Sequence, residues 1–241
     1  MPRFFIQDEP VNQVVIDGQD GRHIAKSLRM QTGQTLTLCN GQGIDFLCTI
    51  EKIVNDTVTV TVNSSAPCLA EPSVFVTLYQ CLPKGDKMDS VVQKAVELGA
   101  SRIVPVLSQR CVSRPEQKTA QKKVDRWQKI AVEAAKQCGR GILPTVAQII
   151  EFSNAIQHAA TQDTVLFCYE GGGQPLQQAL EQTCKSCAIL IGSEGGFEPQ
   201  EAQEALKVGA KQVSLGPRIL RTETAPVTAL TAVMLLTGNL Q

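Results

Sequence analysis

Aromatic residues are scarce in this 241-residue chain, at 4% of the total and with a single tryptophan. Proteins that hold single-stranded nucleic acid on a broad platform stack successive bases on aromatic rings. So few rings argue against such a platform. Hydrophobic residues still reach 43%, which is ample for a packed core and excludes a disordered chain.

Histidines and paired cysteine motifs are also few. The chain has two histidines, and its nine cysteines contain one C-x-x-C motif, Cys184 to Cys187. A structural zinc site needs four ligands at characteristic spacings, so we expect no metal. The odd and scattered cysteines predict reduced, mostly buried thiols, while Cys184 and Cys187 leave a redox dithiol open.

Long apolar runs and an excess of one charge are missing as well. No apolar run approaches 18 residues and no signal peptide is evident, so we expect a soluble cytoplasmic protein without a membrane partner. Overall, 23 Lys and Arg balance 23 Asp and Glu. Between residues 102 and 140, however, ten basic residues face three acidic ones, a local charge of +7. The positive electrostatic potential around such a segment attracts polyanions.

Two glycine-rich turns near the C-terminus are the most informative features. Residues 188–191 predict a buried parallel strand, followed by a turn with three glycines and by a helix from Pro199 that ends at Gly209. Residues 212–215 predict a second strand, followed by Gly216-Pro217, a charged loop and a helix over 227–236. Two such units in tandem predict a ligand at the carboxyl ends of parallel strands.

A third glycine-rich segment, 171–173, follows a predicted strand over 164–168 and would form a third wall of the same pocket. Ordinary turns explain any one of these glycines. They do not explain Glu194 inside a glycine turn, or Arg221 and Glu223 between apolar residues. Neither the P-loop motif nor G-x-G-x-x-G occurs, so these two phosphate-binding motifs do not apply.

The first 70 residues have a different pattern. Short β-type runs at 14–16, 35–39, 46–50 and 57–62, with one helical stretch at 23–30, predict a small β-barrel. Small residues and prolines over 64–73 predict a linker. Beyond it, strands over 74–82 and 102–107 and helices over 88–98 and 117–138 indicate an α/β sheet. We therefore predict two domains, 1–70 and 74–241.

Three segments carry a resemblance to a known family: LIGSEGGFEPQE, LGPRILRTETAPVTAL and KGDKMDSVVQKAVELGASRIVPVLSQRCV. They closely resemble the small-subunit (16S) ribosomal RNA uridine-N3 methyltransferases of the SPOUT superfamily. The resemblance implies S-adenosylmethionine as cofactor, a parallel sheet with a C-terminal trefoil knot, an N-terminal barrel similar to the PUA RNA-binding domain, and a homodimer. The partner would be small-subunit ribosomal RNA, free or in an assembled particle.

The pattern and the resemblance together assign site residues. The cofactor residues lie in or beside the three glycine-rich segments: Phe167, Tyr169, Ile191, Gly192, Glu194, Gly195, Gly196, Leu215, Gly216, Ile219, Leu220 and Thr222. The residues assigned to RNA phosphates are basic: Arg22, Lys26, Arg114, Lys118, Lys122 and Arg126.

Three charged residues are the catalytic candidates. Methyl transfer to an imide nitrogen requires alignment of the reactants and removal of a proton. Arg221 could stabilise charge on the uracil carbonyl, and Glu223 or Glu194 could accept the proton. A buried unpaired charge costs on the order of several kcal/mol, so we expect Arg221 and Glu223 to pair with each other or to face the substrate. Methylation at C5 would need a cysteine nucleophile, and the loops contain none.

Two other functions are compatible with the same features. A barrel joined to a basic α/β domain could bind RNA without catalysis. Alternatively, the glycine turns could hold a nucleotide or another phosphate ligand. Binding of S-adenosylmethionine separates both from a methyltransferase.

Overall fold

The computed structural model describes residues 1–6 and 9–240. The chain divides into two compact units, Met1–Glu71 with Ala135–Leu143, and Pro72–Ala134 with Pro144–Gln241. The sequence pattern did not indicate that residues 135–143 belong with the first unit. Contacts with residues far away in sequence place this segment in the first unit. The buried guanidinium of Arg140 is held by the Glu71 carboxylate at 2.8 Å, and Gly43 N–H donates to Gly141 O at 2.9 Å.

The first unit contains a five-stranded sheet in the order β1-β3-β4-β5-β2. Strand β1 pairs with β3 in parallel, and strand β2 pairs with β5 in antiparallel orientation. Inward-facing residues such as Leu36, Leu38, Val58 and Val60 are fully buried and form its core. The strands are β1 Arg3–Phe5, β2 Gln13–Ile16, β3 Thr35–Cys39, β4 Ile44–Val54 and β5 Thr57–Pro67.

The predicted linker over 64–73 is partly wrong, because β5 continues through it as far as Pro67. Ser64 pairs with Leu47 and Pro67 with Ile44, so the long hairpin of β4 and β5 takes up these small residues. Proline is tolerated there because it ends the strand.

The predicted helix over 23–30 is shifted in the structure. Helix α1 Gly18–Arg22 runs directly into a π-helical turn, His23–Ser27. A Cβ at Gly21 would lie 2.1 Å from the backbone oxygen of Asp56. Glycine therefore lets this helix pack directly on the turn between β4 and β5, a tertiary contact that the apolar periodicity could not reveal.

The second unit is built on a parallel sheet, which confirms the predicted α/β class. Its strand order is β11-β13-β10-β12-β6-β7-β8, with β9 also pairing with β7, and all these pairings are parallel. The strands are β6 Phe75–Cys81, β7 Arg102–Leu107, β8 Thr145–Val146, β9 Ile150–Glu151, β10 Thr164–Cys168, β11 Gln174–Pro175, β12 Ser186–Ile191 and β13 Lys211–Ser214.

Six of the described helices come after β6 in the chain. They are α2 Lys87–Glu97, α3 Gln117–Cys138, α4 Phe152–Ala159, α5 Leu176–Ala179, α6 Pro199–Lys207 and α7 Thr224–Leu236. Helix α3 has the predicted bounds, whereas α7 begins before Pro226 rather than after it. Proline fits in the first turn because no helical carbonyl awaits its missing N–H there. None of the described helices is long and apolar enough to cross a membrane.

Candidate functional site

A cleft of about 800 Å³ opens at the carboxyl edge of the parallel sheet in the second unit. It lies where the loops after β10, β12 and β13 come together, because β10 lies between the other two strands. The start of α2 contributes Lys87 to the same wall. The expected meeting of three glycine-rich segments at one edge of a parallel sheet is therefore found.

Eleven of the twelve residues assigned to the cofactor line this cleft. Phe167 is the exception and a correction, since its ring is fully buried beneath the cleft. It stacks on Tyr169 with ring centroids 5.7 Å apart and also contacts Phe197 at 4.6 Å. Side chains two positions apart on a strand share a face, so Phe167 and Tyr169 lie on the same side of the sheet, Phe167 within β10 and Tyr169 just after its end. Phe167 therefore supports the aromatic wall formed by Tyr169.

The glycines of the first loop are required by its packing. Gly196 has φ of +68°, and a Cβ there would meet a Glu170 carboxylate oxygen at 1.9 Å. A Cβ at Gly195 would lie 2.9 Å from Arg110 Cβ, so a side chain at 195 would point at Arg110. Arg110 in turn donates to Gly195 O at 2.9 Å and to Glu198 at 2.9 Å. This contact tightens the loop around the cleft.

The second loop is tied to the first through Thr222. Its buried hydroxyl donates to Gly192 O at 2.8 Å and lies 3.2 Å from the Gln80 amide nitrogen. Gln80, which sequence analysis missed, is fully buried on β6, and its amide also lies 3.3 Å from Gly192 O. A glutamine within a buried apolar strand was the available signal, because buried polar groups require partners.

Three charged side chains converge at one end of the cleft. Lys87 Nζ lies 2.9 Å from a Glu194 oxygen and 3.4 Å from a Glu223 oxygen. Sequence analysis assigned Glu194 and Glu223 but missed Lys87. Of the catalytic candidates, Arg221 and Glu194 line the cleft, and Glu223 is not among the lining residues. The suggested pairing of Arg221 with Glu223 is not what the structure shows, because Glu223 pairs with Lys87.

The ion pairs shift the acidity of these groups in opposite directions. Burial acts to raise the pKa of Glu194, but hydrogen bonds from Lys87 and from the Lys84 N–H outweigh it and hold that pKa below its ordinary value. The hydrogen bond to Glu194 raises the pKa of Lys87 above its usual range, with Glu223 contributing in the same direction. These shifts favour the charged forms of Glu194 and Lys87.

The residues assigned to RNA fall into two groups. Arg22 and Lys26 are about two-thirds exposed and both contact Asp56, at 3.2 and 2.9 Å. On the second unit, Arg114 donates to Ser108 O at 2.6 Å and Arg126 pairs with Asp89. Lys118 and Lys122 are exposed on α3. The arginines therefore have local structural roles, and the two lysines remain the stronger candidates for phosphate contacts.

The +7 charge of residues 102–140 overstates the local field. Arg110, Arg126, Lys136 and Arg140 each pair with a carboxylate from outside this stretch. Sequence counting cannot include acids that only folding brings close. All nine cysteines are free thiols, and seven of them are buried. Among the described residues no group of three or more His, Cys, Asp or Glu side chains could hold a metal ion.

Comparison with known proteins agrees with this architecture. A family model described as an RNA methyltransferase domain matches residues 70–234, and one described as an RNA methyltransferase PUA domain matches residues 16–63. Ribosomal RNA small subunit methyltransferase E of Bacillus subtilis is 33% identical to this chain and covers 97% of it, over 96% of its own length. The Buchnera aphidicola (Acyrthosiphon pisum) protein of that name is 30% identical over 99% of this chain and 95% of its own length.

A solved structure gives the same result. Ribosomal RNA small subunit methyltransferase E from Neisseria gonorrhoeae, crystallised bound to S-adenosyl methionine, is similar to this chain with a TM-score of 0.89 and 32% identity, over 98% of both chains. These matches extend over both units of the structure. The chain therefore belongs to the ribosomal RNA small subunit methyltransferase E family.

Proposed function

We propose that this protein binds S-adenosylmethionine in the cleft and methylates N3 of a uridine in small-subunit ribosomal RNA. The observation that carries the proposal is the cleft itself, formed by three glycine-rich loops at the carboxyl edge of a parallel sheet. The S-adenosyl methionine bound to the Neisseria gonorrhoeae relative supports the choice of ligand. The uridine N3 position rests on the resemblance of the loop sequences.

The residues of the cleft fit such a ligand. Its volume of about 800 Å³ lies within the range of small-molecule sites. Ile219 lines the cleft while 91% exposed, an apolar surface that a bound adenosine or methionine moiety would cover. The carboxylates of Glu170 and Glu194 also line it and complement a cationic ligand. The aromatic ring of Tyr169 adds a flat apolar wall.

The cofactor, when bound, supplies a methyl group on a positively charged sulfur. Transfer of that methyl group to the uridine nitrogen would require a base that takes the N3 proton. We assign that proton to Glu223, or to Glu194 on the same side of the cleft. Arg221 is exposed on the cleft wall and would donate hydrogen bonds to the uracil carbonyl as negative charge develops.

The remaining features of the proposal concern assembly and RNA binding. The first unit would bind RNA through its shape and its basic residues, as the resemblance to PUA domains suggests. The exposed apolar side chain of Leu235 on α7, 61% accessible, supports a homodimer that covers it. A trefoil knot in the C-terminal region and a cytoplasmic location belong to the same proposal.

The direct test is enzymatic. The purified protein is incubated with S-adenosylmethionine and either free small-subunit RNA or assembled small subunits, and nucleosides are then analysed by mass spectrometry. We expect one new N3-methyluridine per RNA and none when cofactor is omitted. Methylation at carbon 5 or on a ribose would contradict the assignment. If calorimetry shows RNA binding but no cofactor binding, the protein is a non-catalytic RNA-binding protein. If ATP or NAD raises the melting temperature of the protein, a nucleotide-binding enzyme is favoured.

A further inference from the structure

Lys87 joins three parts of the second unit at one point. It is the first residue of α2, and its ammonium group contacts Glu194 of the first glycine loop and Glu223 of the second. The distances from Nζ are 2.9 Å and 3.4 Å. Its side chain is 36% exposed and lines the cleft. One cation therefore lies between two of the carboxylates assigned to chemistry.

An ordinary surface ion pair does not account for this arrangement. Exposed pairs contribute little to stability, whereas the Oε2 atom of Glu223 is shielded from solvent and finds no well-aligned hydrogen-bond donor. Lys87 is the cation that lies beside this oxygen. Glu223 also stands at the N-cap of α7 without making a side-chain cap hydrogen bond. Its carboxylate is thus turned away from the helix end and towards Lys87.

Removal of Lys87 would leave two carboxylates close together. Both lie within 3.4 Å of the same nitrogen, so each would feel the negative charge of the other. Like charges at such distances raise the pKa of one member of the pair, because the second ionisation becomes unfavourable. The other charged groups that line the cleft are Glu170, Arg218 and Arg221, and the Lys84 backbone N–H also donates to Glu194.

We propose that Lys87 is a positioning residue for the methyl transfer, which neutralises Glu194 and Glu223 and holds Glu194, the carboxylate that lines the cleft, ready to accept the uridine proton. This proposal rests on the proposed function, in which a carboxylate of this pair is the base. Lys87 itself need not touch the substrate. Its contribution is to neutralise the two carboxylates and to fix them at the end of the cleft.

The sign of the pH effect follows from the role of the base. A carboxylate accepts a proton only when ionised, so the transfer rate falls as pH drops through its pKa. Without Lys87 the pKa of Glu194 rises, because the hydrogen bond that helps to lower it is lost, and the acid limb of the rate profile moves to higher pH. An opposite charge at this distance shifts a carboxylate pKa by roughly one to three units. We therefore expect Lys87→Met to move the acid limb upward by about one unit or more.

The experiment measures single-turnover methyl transfer with saturating cofactor across the pH range. The acid limb of the Lys87→Met profile should lie at higher pH than that of wild type, and Lys87→Arg should restore much of the wild-type profile. The matched control is Lys94→Met, because Lys94 lies on the same helix as Lys87, pairs with Glu97 and does not line the cleft. Its acid limb should coincide with that of wild type. A Lys87→Met profile that coincides with wild type, or that is lowered equally at every pH, would overturn the proposal.

A second readout is independent of activity. The Glu194 and Glu223 carboxyl carbons can be titrated by NMR in protein labelled with ¹³C glutamate, with Glu194→Gln and Glu223→Gln used for assignment. Lys87→Met should raise the pKa of Glu194, and an unmoved Glu194 titration would refute the role of Lys87. If the titrations move but no variant methylates RNA, the proposed function fails and the electrostatic role of Lys87 stands.

Discussion

Among the described charged side chains that line the cleft, Arg221 and Arg218 are the two that make no ion pair. Lys87 is paired with two carboxylates, and Arg110 is paired with Glu198. In the part of the chain that the structure describes, the Arg221 guanidinium is exposed and makes no ion pair, while its backbone oxygen accepts from the Thr224 N–H at 2.8 Å. The loop is thus held by the backbone of Arg221, and its side chain is available for the substrate.

At the residue scale, we expect Arg221→Ala to lower the single-turnover rate of methyl transfer by roughly 10²-fold or more, as for loss of an oxyanion donor. Cofactor affinity, measured by calorimetry, should change little, because the backbone of the loop is retained. The melting temperature should also stay near that of wild type. Lys207→Ala, an exposed lysine at the end of α6, serves as control and should not affect the rate. A wild-type rate in Arg221→Ala would rule out the assignment.

At the scale of elements, helix α6 connects the first glycine loop to the rest of the sheet. Glu198 and Glu201 form a reciprocal capping box at its start. The Glu201 carboxylate, 3% exposed, accepts from the N–H groups of Glu198 and Gln109, both at 2.9 Å. One buried side chain therefore fixes the helix start and the segment that carries Arg110, which in turn contacts Gly195.

We expect Glu201→Ala to lower the free energy of unfolding by about 2–4 kcal/mol, since two backbone donors lose their acceptor. Urea denaturation of the variant measures this difference. Glu204→Ala is the matched control, because Glu204 is exposed on the same helix and should change stability by at most about 0.5 kcal/mol. Equal stability of the two variants would show that the capping box contributes nothing.

At the scale of the whole molecule, a nearly neutral protein must attract a polyanion through local surfaces. The exposed lysines of α3 are the candidates on the second unit, because the nearby arginines already have partners. Charge there acts on RNA through phosphate neutralisation and counterion release. This predicts an electrostatic contribution that depends on salt and leaves the cofactor cleft unaffected.

The double variant Lys118→Glu and Lys122→Glu should therefore weaken binding to small-subunit RNA and reduce the slope of log affinity against log salt by about 1 to 2. Fluorescence anisotropy at several salt concentrations measures both quantities. Cofactor affinity should be unchanged. The control is Lys185→Glu with Lys207→Glu, which changes the net charge equally at other exposed positions. If both double variants bind RNA alike, only net charge matters and α3 is not a specific contact.

Local sequence patterns determined most of the elements of the second unit. Apolar runs ended by glycine predicted β10, β12 and β13, and β10 lies at the predicted residues 164–168. The proline and acids at the start of α6 and Gly209 after its end predicted its bounds. These signals succeed because capping, turn conformation and strand burial depend on residues within a few positions of one another. The placement of three glycine-rich loops at one edge followed from the parallel order.

The contacts between side chains that are distant in sequence became visible in the folded structure alone. Lys87 contacts Glu194 and Glu223 across more than a hundred residues of sequence, and Gln80 bridges loops that lie far along the chain. Phe167 is buried because the rings of Phe152, Tyr169 and Phe197 pack around it. Residues 135–143 join the first unit through contacts with Glu71 and Gly43. Such pairings depend on strand order and on the sum of many packing contacts, and no short-range pattern encodes either.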